Sequence, residues 1–309
     1  MRVVVTGGAG FIGSAFINHL LDNFECNVLC VDKLTYAGRK ENIKHNVTFL
    51  QKDICDVTSE ELGEFDYMVH FAAESHVDNS IKNGLPFIRT NVEGTFNLLE
   101  ISRKNKNLKK FIHISTDEVY GDMEENPNIN KESNENYKIK GSSYYSASKA
   151  ASDLLVEACG RTYGLPYLIT RTCNNFGEHQ FEEKFLPTIA RSISLGNEIP
   201  VYGDGNQVRE WMYVYDNVEM IIKLMLDDKV KNTVYNIGTG FRVKNIDIVN
   251  KISEILNKEV KIKYVEDRLG HDRVYALDCL KLNAYHLKNG EKLPKFMNLY
   301  DYLNKQYGN

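Results

Sequence analysis

The sequence has little of what marks a disulfide-rich, metal-binding or membrane protein. Its cysteines are scattered, with no CxxC pair and no histidine at zinc-ligand spacing: Cys26, Cys30, Cys55, Cys159, Cys173 and Cys279. They therefore predict reduced, mostly buried thiols and no metal site. No apolar run approaches the ~20 residues of a membrane-spanning helix, and no basic-then-apolar leader precedes the first apolar run. We expect a cytoplasmic protein without membrane contacts.

An excess of basic residues is also absent. The chain has 38 Lys and Arg against 42 Asp and Glu, which gives a formal net charge of -4. Nucleic-acid-binding surfaces are normally basic, so the composition predicts no nucleic-acid partner. The densest basic run, at residues 103–110, is typical of a solvated helix end and loop.

What the sequence does contain is an alternation of short β-branched runs and amphipathic stretches. Its 309 residues are enough to bury a full core. The predicted strands are Arg2–Thr6, Asn27–Val31, Val47–Gln51, Tyr67–Phe71, Lys110–Ser115 and Tyr167–Thr170. The predicted helices between them are Phe11–Asn23, Pro86–Lys104 and Ser146–Tyr163. This order predicts an α/β fold, a Rossmann-type doubly wound parallel sheet with helices on both faces.

A glycine-rich turn follows the first predicted strand and opens the first predicted helix. Gly7, Gly10 and Gly13 allow a tight turn, close approach of the backbone to a pyrophosphate, and close packing of helix on strand. Asp32 ends the next strand, 19 residues past Gly13, where a carboxylate accepts hydrogen bonds from the adenosine ribose. That carboxylate would repel a 2′-phosphate. The spacing therefore predicts NAD rather than NADP as the cofactor.

Two groups of residues predict the chemistry. Tyr145 and Lys149 are four residues apart at the start of a predicted helix, so they share one face. A cationic lysine lowers the pKa of a nearby phenol, which suits a tyrosine that accepts a proton. Asp117 and Glu118 close the fifth strand, and two carboxyls in different environments can act as acid and base. A regular strand would separate them, so we expect the chain to leave β geometry there; alternatively, one of the two only caps the next turn.

Beyond Arg171 the alternation loosens. Shorter helices are predicted at Asp216–Asp227 and Ile246–Leu256. We predict a nucleotide-binding domain at 1–173, with a returning segment near 211–240, and a smaller, mostly C-terminal substrate-binding domain at 174–210 and 241–309. Residues 122–143 are polar and nearly devoid of apolar side chains, which predicts a long exposed loop that could close over the site.

The motifs stand in longer runs that resemble the dTDP-glucose 4,6-dehydratases, of the extended short-chain dehydrogenase/reductase superfamily. The runs are TGGAGFIGS (6–14), VDKLTYAG (31–38), AAESHVDNSI (72–81), STDEVYG (115–121), YSASKAASD (145–153), GDGNQVREWMYV (203–214) and DRLGH (267–271). The similarity extends to about Asp278. STDEVYG is the most specific run, because related 4-epimerases and decarboxylases lack the Asp-Glu pair.

The resemblance implies an enzyme that makes a 4-keto-6-deoxy sugar nucleotide from dTDP-glucose or UDP-glucose on one tightly held NAD. Tyr145 would deprotonate the 4-hydroxyl while a hydride leaves C4, with Thr116 near O4 and Lys149 at the nicotinamide ribose. Glu118 would then remove the C5 proton and Asp117 would protonate the departing C6 hydroxyl. The hydride would return to C6.

The resemblance also implies the binding residues and the assembly. Residues that would face the cofactor are Gly7, Gly10, Phe11, Ile12, Gly13, Asp32, Lys33, Leu34, Thr35, Asp53, Ile54, Phe71, Ala72, Ala73, Ser75, Thr90, Tyr145, Lys149 and Asn174. Residues that would face the sugar nucleotide are Ser75, Thr116, Asn175, Lys184, Leu186, Pro187, Pro200, Tyr202, Arg209, Asn236, Asp267, Arg268 and His271. Guanidinium groups suit bidentate phosphate contacts. A homodimer would form through the predicted helices Pro86–Lys104 and Ser146–Tyr163.

The chain departs from the family pattern at three prolines, which are replaced by Tyr144, Glu182 and Leu269. Each loss releases a fixed φ angle. We therefore expect that the Tyr145 region is displaced or poorly ordered without substrate. The tail 281–309 lacks the Gly-Trp expected late in the family, and no role for it follows from the sequence.

Other activities on the same fold stay open at this point. A UDP-sugar 4-epimerase or a UDP-glucuronate decarboxylase is the nearest alternative, and Asp117-Glu118 argues against the epimerase. A catalytically silent NAD-binding regulator is an alternative of another class, although such a protein should have lost Tyr145 or Lys149. Thymine and uracil differ by one methyl group, so the base preference is not fixed by the sequence.

Overall fold

A computed structural model describes residues 1–125 and 131–308. Its strands form a seven-stranded parallel sheet, in the order β10-β6-β5-β4-β1-β2-β3, and two small sheets, β11-β9-β7 and β12-β8. The strands are β1 Arg2–Thr6, β2 Asn27–Asp32, β3 Thr48–Gln51, β4 Tyr67–His70, β5 Lys110–Thr116, β6 Tyr167–Thr172, β7 Asn174–Phe176, β8 Glu198–Tyr202, β9 Val208–Tyr213, β10 Thr233–Ile237, β11 Arg242–Lys244 and β12 Lys261–Val265.

Helices connect these strands. They are α1 Phe11–Asn23, α2 Ser59–Leu62, α3 Val77–Lys82, α4 Leu85–Phe87, α5 Thr95–Ser102, α6 Tyr144–Tyr163, α7 Phe185–Leu195, α8 Val214–Leu226, α9 Asn245–Leu256, α10 Leu280–Lys288 and α11 Leu299–Tyr307. A π-helical segment, Ile88–Gly94, joins α4 to α5, and short 3₁₀ turns lie at Lys40–Asn42, Asp117–Tyr120 and Met123–Glu125.

The large sheet is covered on both faces, as the sequence predicts. Alternating side chains of β1 divide between two hydrophobic cores, with Val3 and Val5 in the first and Val4 in the second. The first core is completed by apolar residues of α1 and α8, and the second by residues of α5 and α6. Successive side chains of a strand point to opposite faces, and both faces of this sheet are covered. These neighbouring residues of β1 are therefore all apolar, in contrast to the alternating pattern of a half-buried strand. The doubly wound parallel sheet is therefore confirmed.

The predicted elements are found with shifts of a few residues, and one differs in kind. The helix predicted at Pro86–Lys104 contains the π-helical segment. Within it the carbonyl oxygen of Asn91 accepts hydrogen bonds from the hydroxyls of Thr95 (2.6 Å) and Ser152 (2.8 Å). A widened turn leaves a carbonyl free for such side-chain donors. The π-helical segment is consequently hydrogen-bonded to α6, the helix that contains Ser152.

A third hydrophobic core lies apart from the large sheet. It collects apolar residues of α7, α9 and α11 around the small sheets, among them Phe176, Trp211 and Leu303. Nearly all of its members fall in 174–210 and 241–309, the two segments predicted to form the smaller domain. The tail is divided, however, because Leu282 of α10 packs into the first core while Leu299 and Leu303 pack into the third.

The long loop predicted at 122–143 is present in the part that the structure describes, which holds only a 3₁₀ turn at Met123–Glu125 and an isolated bridge at Ser133, but it is less exposed than predicted; residues 126–130 lie outside that part. Met123 and Ser133 are buried, and Met123 belongs to the first core. The Ser133 backbone N–H donates to the carbonyl of Ala276, and the Tyr137 ring packs edge-on against Tyr120. Sparse apolar residues misled the prediction, since pairing with a distant segment satisfies the backbone instead.

Among the described residues, no helix is both long enough and apolar enough to cross a membrane.

Candidate active site

A cavity of about 350 Å³ opens at the carboxyl end of the large sheet. It lies where the strand order reverses between β4 and β1, the point at which open α/β sheets bind ligands. All five predicted catalytic residues line it: Thr116, Asp117, Glu118, Tyr145 and Lys149. The predicted cofactor residues that line it are Gly7, Gly10, Phe11, Ile12, Gly13, Asp32, Lys33, Thr35, Asp53, Ile54, Phe71, Ala72, Ala73, Ser75, Thr90, Tyr145, Lys149 and Asn174.

The glycine turn has the close contacts that a dinucleotide cradle needs. Gly7 has a φ of +69°, and a Cβ there would lie 2.5 Å from the backbone nitrogen of Ala72. A Cβ on Gly13 would lie 2.3 Å from the carbonyl oxygen of Gly7. The first turn of α1 has neither a side-chain cap nor an acidic residue, so its N-terminus suits an anionic group. These features fit the pyrophosphate of NAD.

The Asp32 carboxylate is fixed at the edge of the cavity by the backbone. Its Oδ2 accepts a hydrogen bond from the Ala9 N–H (3.0 Å) and its Oδ1 accepts one from the Leu34 N–H (2.8 Å). Leu34 was predicted to face the cofactor, but it does not line the cavity; its backbone, with a φ of 56°, orients Asp32 instead. Lys33 and Asp53 form an ion pair of 3.1 Å beside it. The carboxylate is thus held ready for ribose hydroxyls, in agreement with NAD.

The acidic pair lies on the turn that ends β5. The strand stops at Thr116, and Asp117–Tyr120 forms a 3₁₀ turn, as expected from the need to bring both carboxyls to one site. The Thr116 hydroxyl caps this turn by accepting the Glu118 N–H at 3.3 Å. The capping role is therefore taken by a threonine, and both carboxyls line the cavity.

Burial separates these carboxyls from ordinary surface acids. Burial raises the pKa of Asp117 well above its usual value, and the charge of Glu118 raises it further. Burial also raises the pKa of Glu118, but the cations of Arg209, Lys184 and Arg268 oppose that shift. The two groups consequently have different proton affinities, with Asp117 suited to hold a proton and Glu118 to accept one.

Tyr145 and Lys149 project from the first turns of α6. Reciprocal hydrogen bonds start this helix: the Ser146 N–H donates to Ser143 Oγ (3.1 Å) and the Ser143 N–H donates to Ser146 Oγ (2.9 Å). Tyr145 is buried and lines the cavity together with Thr116. The capping box at Ser143 thus starts the helix without a proline, while displacement of the Tyr145 region in the absence of substrate stays a prediction.

The charges of this pair depend on burial. Burial raises the pKa of Tyr145, and the negative charge of Glu118 raises it further. Burial lowers the pKa of Lys149 to about 8, while its attraction to Asp153 opposes that change. The Lys149 ammonium donates to the Ile114 carbonyl at 2.7 Å. The Lys149 ammonium is thus held in position by β5, the strand that ends in the acidic turn.

The predicted substrate residues divide into those that line the cavity and those that do not. Ser75, Thr116, Asn175 and Lys184 line it. The other nine do not: Leu186, Pro187, Pro200, Tyr202, Arg209, Asn236, Asp267, Arg268 and His271. The structure therefore brings only part of the predicted substrate set into the cavity itself.

Some of the predicted substrate residues that do not line the cavity still lie near the acidic turn or contact one another. The charges of Arg209 and Arg268 act on Glu118. Arg268 forms an ion pair with Asp78 (Nε to Oδ1, 2.5 Å), and its guanidinium lies 4.9 Å from the ring centre of Tyr202. The loop that carries Arg268 is also tied internally, because His271 Nδ1 lies 2.6 Å from Asp267 Oδ1.

The structure corrects the predictions for Asn236 and Leu186. Asn236 is fully buried: its amide donates to the carbonyls of Ser133 (2.8 Å) and Asp278 (3.0 Å), and its oxygen accepts the Tyr120 hydroxyl (2.7 Å). It therefore secures the scaffold and has no free polar atom for a sugar. Leu186 is buried in the third core, so its side chain packs and does not bind.

Further cavity residues escaped the sequence prediction. Tyr36 and Phe181 come from separate loops, and their rings meet edge-on with centres 5.5 Å apart. Others stand at the carboxyl ends of strands: Val31, Ile114, Ser115, Thr172 and Cys173. Strand-end position is a usable signal for the second group. Nothing local in the sequence indicates that Tyr36 meets Phe181.

Comparison with known proteins places the chain. The NAD dependent epimerase/dehydratase family matches residues 3–238. The chain is 43% identical to the low-salt glycan biosynthesis protein Agl12 of Haloferax volcanii, over 92% of each chain. It is 42% identical to dTDP-glucose 4,6-dehydratase 1 of Escherichia coli K12, over 91% of this chain and 86% of that protein.

Among solved structures, the fold is similar to DesIV, a dTDP-glucose 4,6-dehydratase from Streptomyces venezuelae with NAD and TYD bound. The TM-score is 0.91 at 37% identity, over 99% of this chain and 95% of that one. With the glycine cradle, the Asp32 carboxylate and the Tyr145–Lys149 pair described above, these matches agree on one assignment. The chain belongs to the NAD dependent epimerase/dehydratase family, within its dTDP-glucose 4,6-dehydratase group.

Proposed function

We propose that the protein is an NAD-dependent nucleotide-sugar 4,6-dehydratase that converts dTDP-glucose or UDP-glucose to the 4-keto-6-deoxy sugar nucleotide. The observation that carries this proposal is the presence of Asp117 and Glu118 in the same cavity as Tyr145 and Lys149. Plain oxidation of an alcohol needs only the tyrosine and the lysine. Elimination of water needs an additional acid and base, which the acidic turn supplies.

Tyr145 acts first, as the base that takes the proton of the 4-hydroxyl. Tyr145 and Thr116 line the same cavity, which brings the phenol and the threonine hydroxyl to one reacting centre. Lys149 is four residues away on the same helix, and its ammonium favours the phenolate. Bound NAD supplies a reversible hydride acceptor, which the reaction needs because C4 is oxidised and C6 is reduced.

Glu118 and Asp117 act on the ketone that follows. The C5 proton becomes acidic beside the C4 ketone, and Glu118 removes it. Asp117 gives its proton to the C6 hydroxyl, which leaves as water. Glu118 then returns a proton to C5 as C6 becomes a methyl group. Because Asp117 is buried, its pKa is raised well above the usual value, which favours the protonated form that this step requires.

The nucleotide diphosphate is held by cations near the acidic turn. Lys184 lines the cavity, and the positive charges of Lys184, Arg209 and Arg268 all act on Glu118. Two phosphates need such charges, and guanidinium groups bind them in bidentate fashion. Asn175, whose side chain is fixed by Thr172 and Asn217, completes this side of the cavity.

The protein assembles as a homodimer through the α4–α5 segment and α6. These elements pack on each other and leave large apolar side chains exposed: Leu85, Ile88, Phe96 and Leu154. Paired between two copies, they would form a four-helix contact. Sedimentation of the protein and of Phe96→Asp tests this, with Leu195→Asp on α7 as a control at another exposed apolar side chain. A dimer that only Phe96→Asp dissociates is expected, and a wild-type monomer would contradict it.

A product assay tests the activity. The protein is incubated with dTDP-glucose or UDP-glucose, without added NAD, and the mass of the product is measured by mass spectrometry. Loss of one water from either nucleotide is the expected result, and the ratio of the two rates gives the base preference. An isomer of unchanged mass would assign a 4-epimerase. With bound NAD present, no product at all would favour the silent regulator.

A further inference from the structure

Two loops that border the cavity meet through their aromatic rings. Tyr36 lies on the loop after β2, and Phe181 lies on the loop before α7. Their ring centres are 5.5 Å apart and the planes meet at 70°, which is an edge-on contact within the range of favourable aromatic pairs. The Arg39 guanidinium lies 5.9 Å from the centre of the Phe181 ring, so a second contact joins the same two loops.

The loop that carries Tyr36 is attached to the dinucleotide cradle. The Arg39 N–H donates a hydrogen bond to the Ala9 carbonyl of the glycine turn at 2.9 Å. A Cβ on Gly38 would lie 3.0 Å from Asp32 Oδ1, so this loop also packs closely on the carboxylate that suits the ribose. The Tyr36 ring is therefore carried by a loop whose base is held on the cofactor side of the cavity.

The loop that carries Phe181 is attached to a different part of the molecule. The Gln180 side-chain amide donates to the Asn175 carbonyl of β7, in one of the small sheets, at 3.0 Å. The Lys184 N–H donates to the Phe181 carbonyl at 2.9 Å, and the chain then enters α7, which packs into the third core. The contact between the two rings consequently joins the cradle on the large sheet to the elements of the third core.

The two rings lie at the rim of the cavity. Tyr36 and Phe181 both line it, yet Tyr36 is 42% exposed. A residue that faces both a cavity and solvent lies at its opening. Asp32 and Lys184, which precede and follow the two rings in their loops, also line the cavity. The ring contact therefore crosses the opening above residues that hold the cofactor.

We propose that Tyr36 and Phe181 form an aromatic clasp that retains NAD, so that release of the cofactor requires the two rings to separate. The inference rests on NAD binding alone and goes beyond the proposed dehydratase function. It also gives the clasp a use in that reaction, which takes a hydride from the sugar and returns it. A reduced cofactor that left between these two steps would leave the oxidised sugar without its hydride.

Exchange of bound NAD tests the clasp in the absence of any sugar nucleotide. Protein loaded with NAD is mixed with an excess of deuterated NAD, and the bound cofactor is analysed by mass spectrometry after rapid desalting. Tyr36→Ala and Phe181→Ala are each expected to exchange about three- to tenfold faster than wild type. Tyr36→Phe keeps the ring and should exchange at the wild-type rate. Tyr264→Ala, at an exposed tyrosine of β12 outside the cavity lining, is the control and should also match wild type.

The double variant, Tyr36→Ala with Phe181→Ala, separates a contact between the rings from independent contacts of each ring with NAD. If the rings act through each other, the double variant exchanges no faster than the quicker single variant. Effects that multiply, or single variants that exchange at the wild-type rate, would overturn the clasp. Fast exchange in Tyr36→Phe would also overturn it, because the hydroxyl would then be the retaining group. Failure of the dehydratase function would appear separately, in the product assay.

Discussion

Tyr144 and Tyr145 are adjacent at the start of α6, yet the Tyr144 side chain is 62% exposed whereas Tyr145 is 9% exposed and lines the cavity. The chain thus offers two phenols, of which one reaches the site. Tyr145→Phe should lower kcat by about 10²- to 10⁴-fold, because a general base is lost. Tyr144→Phe is the matched control and should change kcat little. Steady-state assays of both variants would decide, and loss of activity in Tyr144→Phe alone would reverse the assignment.

The acidic pair should separate into two functions. Glu118→Gln is expected to stop exchange of the C5 proton with deuterated water, because the base is gone. Asp117→Asn is expected to retain that exchange but to release water about 10²- to 10⁴-fold more slowly, because the amide is a poor acid. Mass spectrometry of recovered substrate and product measures both. If Asp117→Asn abolished exchange of the C5 proton and Glu118→Gln retained it, the roles of base and acid would be reversed.

The low-pH limb of activity should report Glu118. Its pKa is raised above the ordinary 4.5 by burial, and Arg209 opposes part of the shift. Only the ionised form is a base, so activity is present above the raised pKa and is lost as the pH falls through it. The profile of kcat/KM is therefore expected to fall with a midpoint above 4.5. A midpoint at or below that value would show that Glu118 is not the titrating base.

A buried ion pair should hold the catalytic helix to the sheet. Asp153 of α6 accepts a hydrogen bond from Arg171 Nε of β6 at 2.9 Å, and both side chains are almost fully buried. Asp153→Asn leaves a buried guanidinium without its charge partner, which typically costs about 3 to 5 kcal/mol. Urea unfolding should show this loss. The exposed pair of Glu182 and Arg191 gives the control, since Glu182→Gln should leave the unfolding midpoint unchanged.

Local sequence signals were sufficient for the first part of the fold and for the core of the site. The strand Arg2–Thr6 and the helix Phe11–Asn23 have their predicted bounds, because the glycine turn between them is specified by short-range geometry. The same holds for Tyr145 and Lys149, whose four-residue spacing places them on one helix face. The acidic turn was also anticipated, since two neighbouring carboxyls cannot both face one site from a regular strand.

Contacts between distant segments were beyond local reasoning. Asn236 was assigned to the sugar, but it bonds Tyr120, Ser133 and Asp278, which are far away in the chain. The same long-range pairing buries residues of the segment 122–143. The small sheets join strands across long intervals, as in the parallel pairing of β8 with β12. None of these partners is specified by periodicity or by turn residues.

In the proposed reaction a hydride leaves C4 and returns to C6 of the same sugar within one active site. This transfer is measured with dTDP-glucose or UDP-glucose carrying deuterium at C4, incubated in ordinary water. We expect a 4-keto-6-deoxy product that retains the deuterium in its C6 methyl group. Deuterium lost to water, or a product in which it stays at C4, would rule out transfer from C4 to C6.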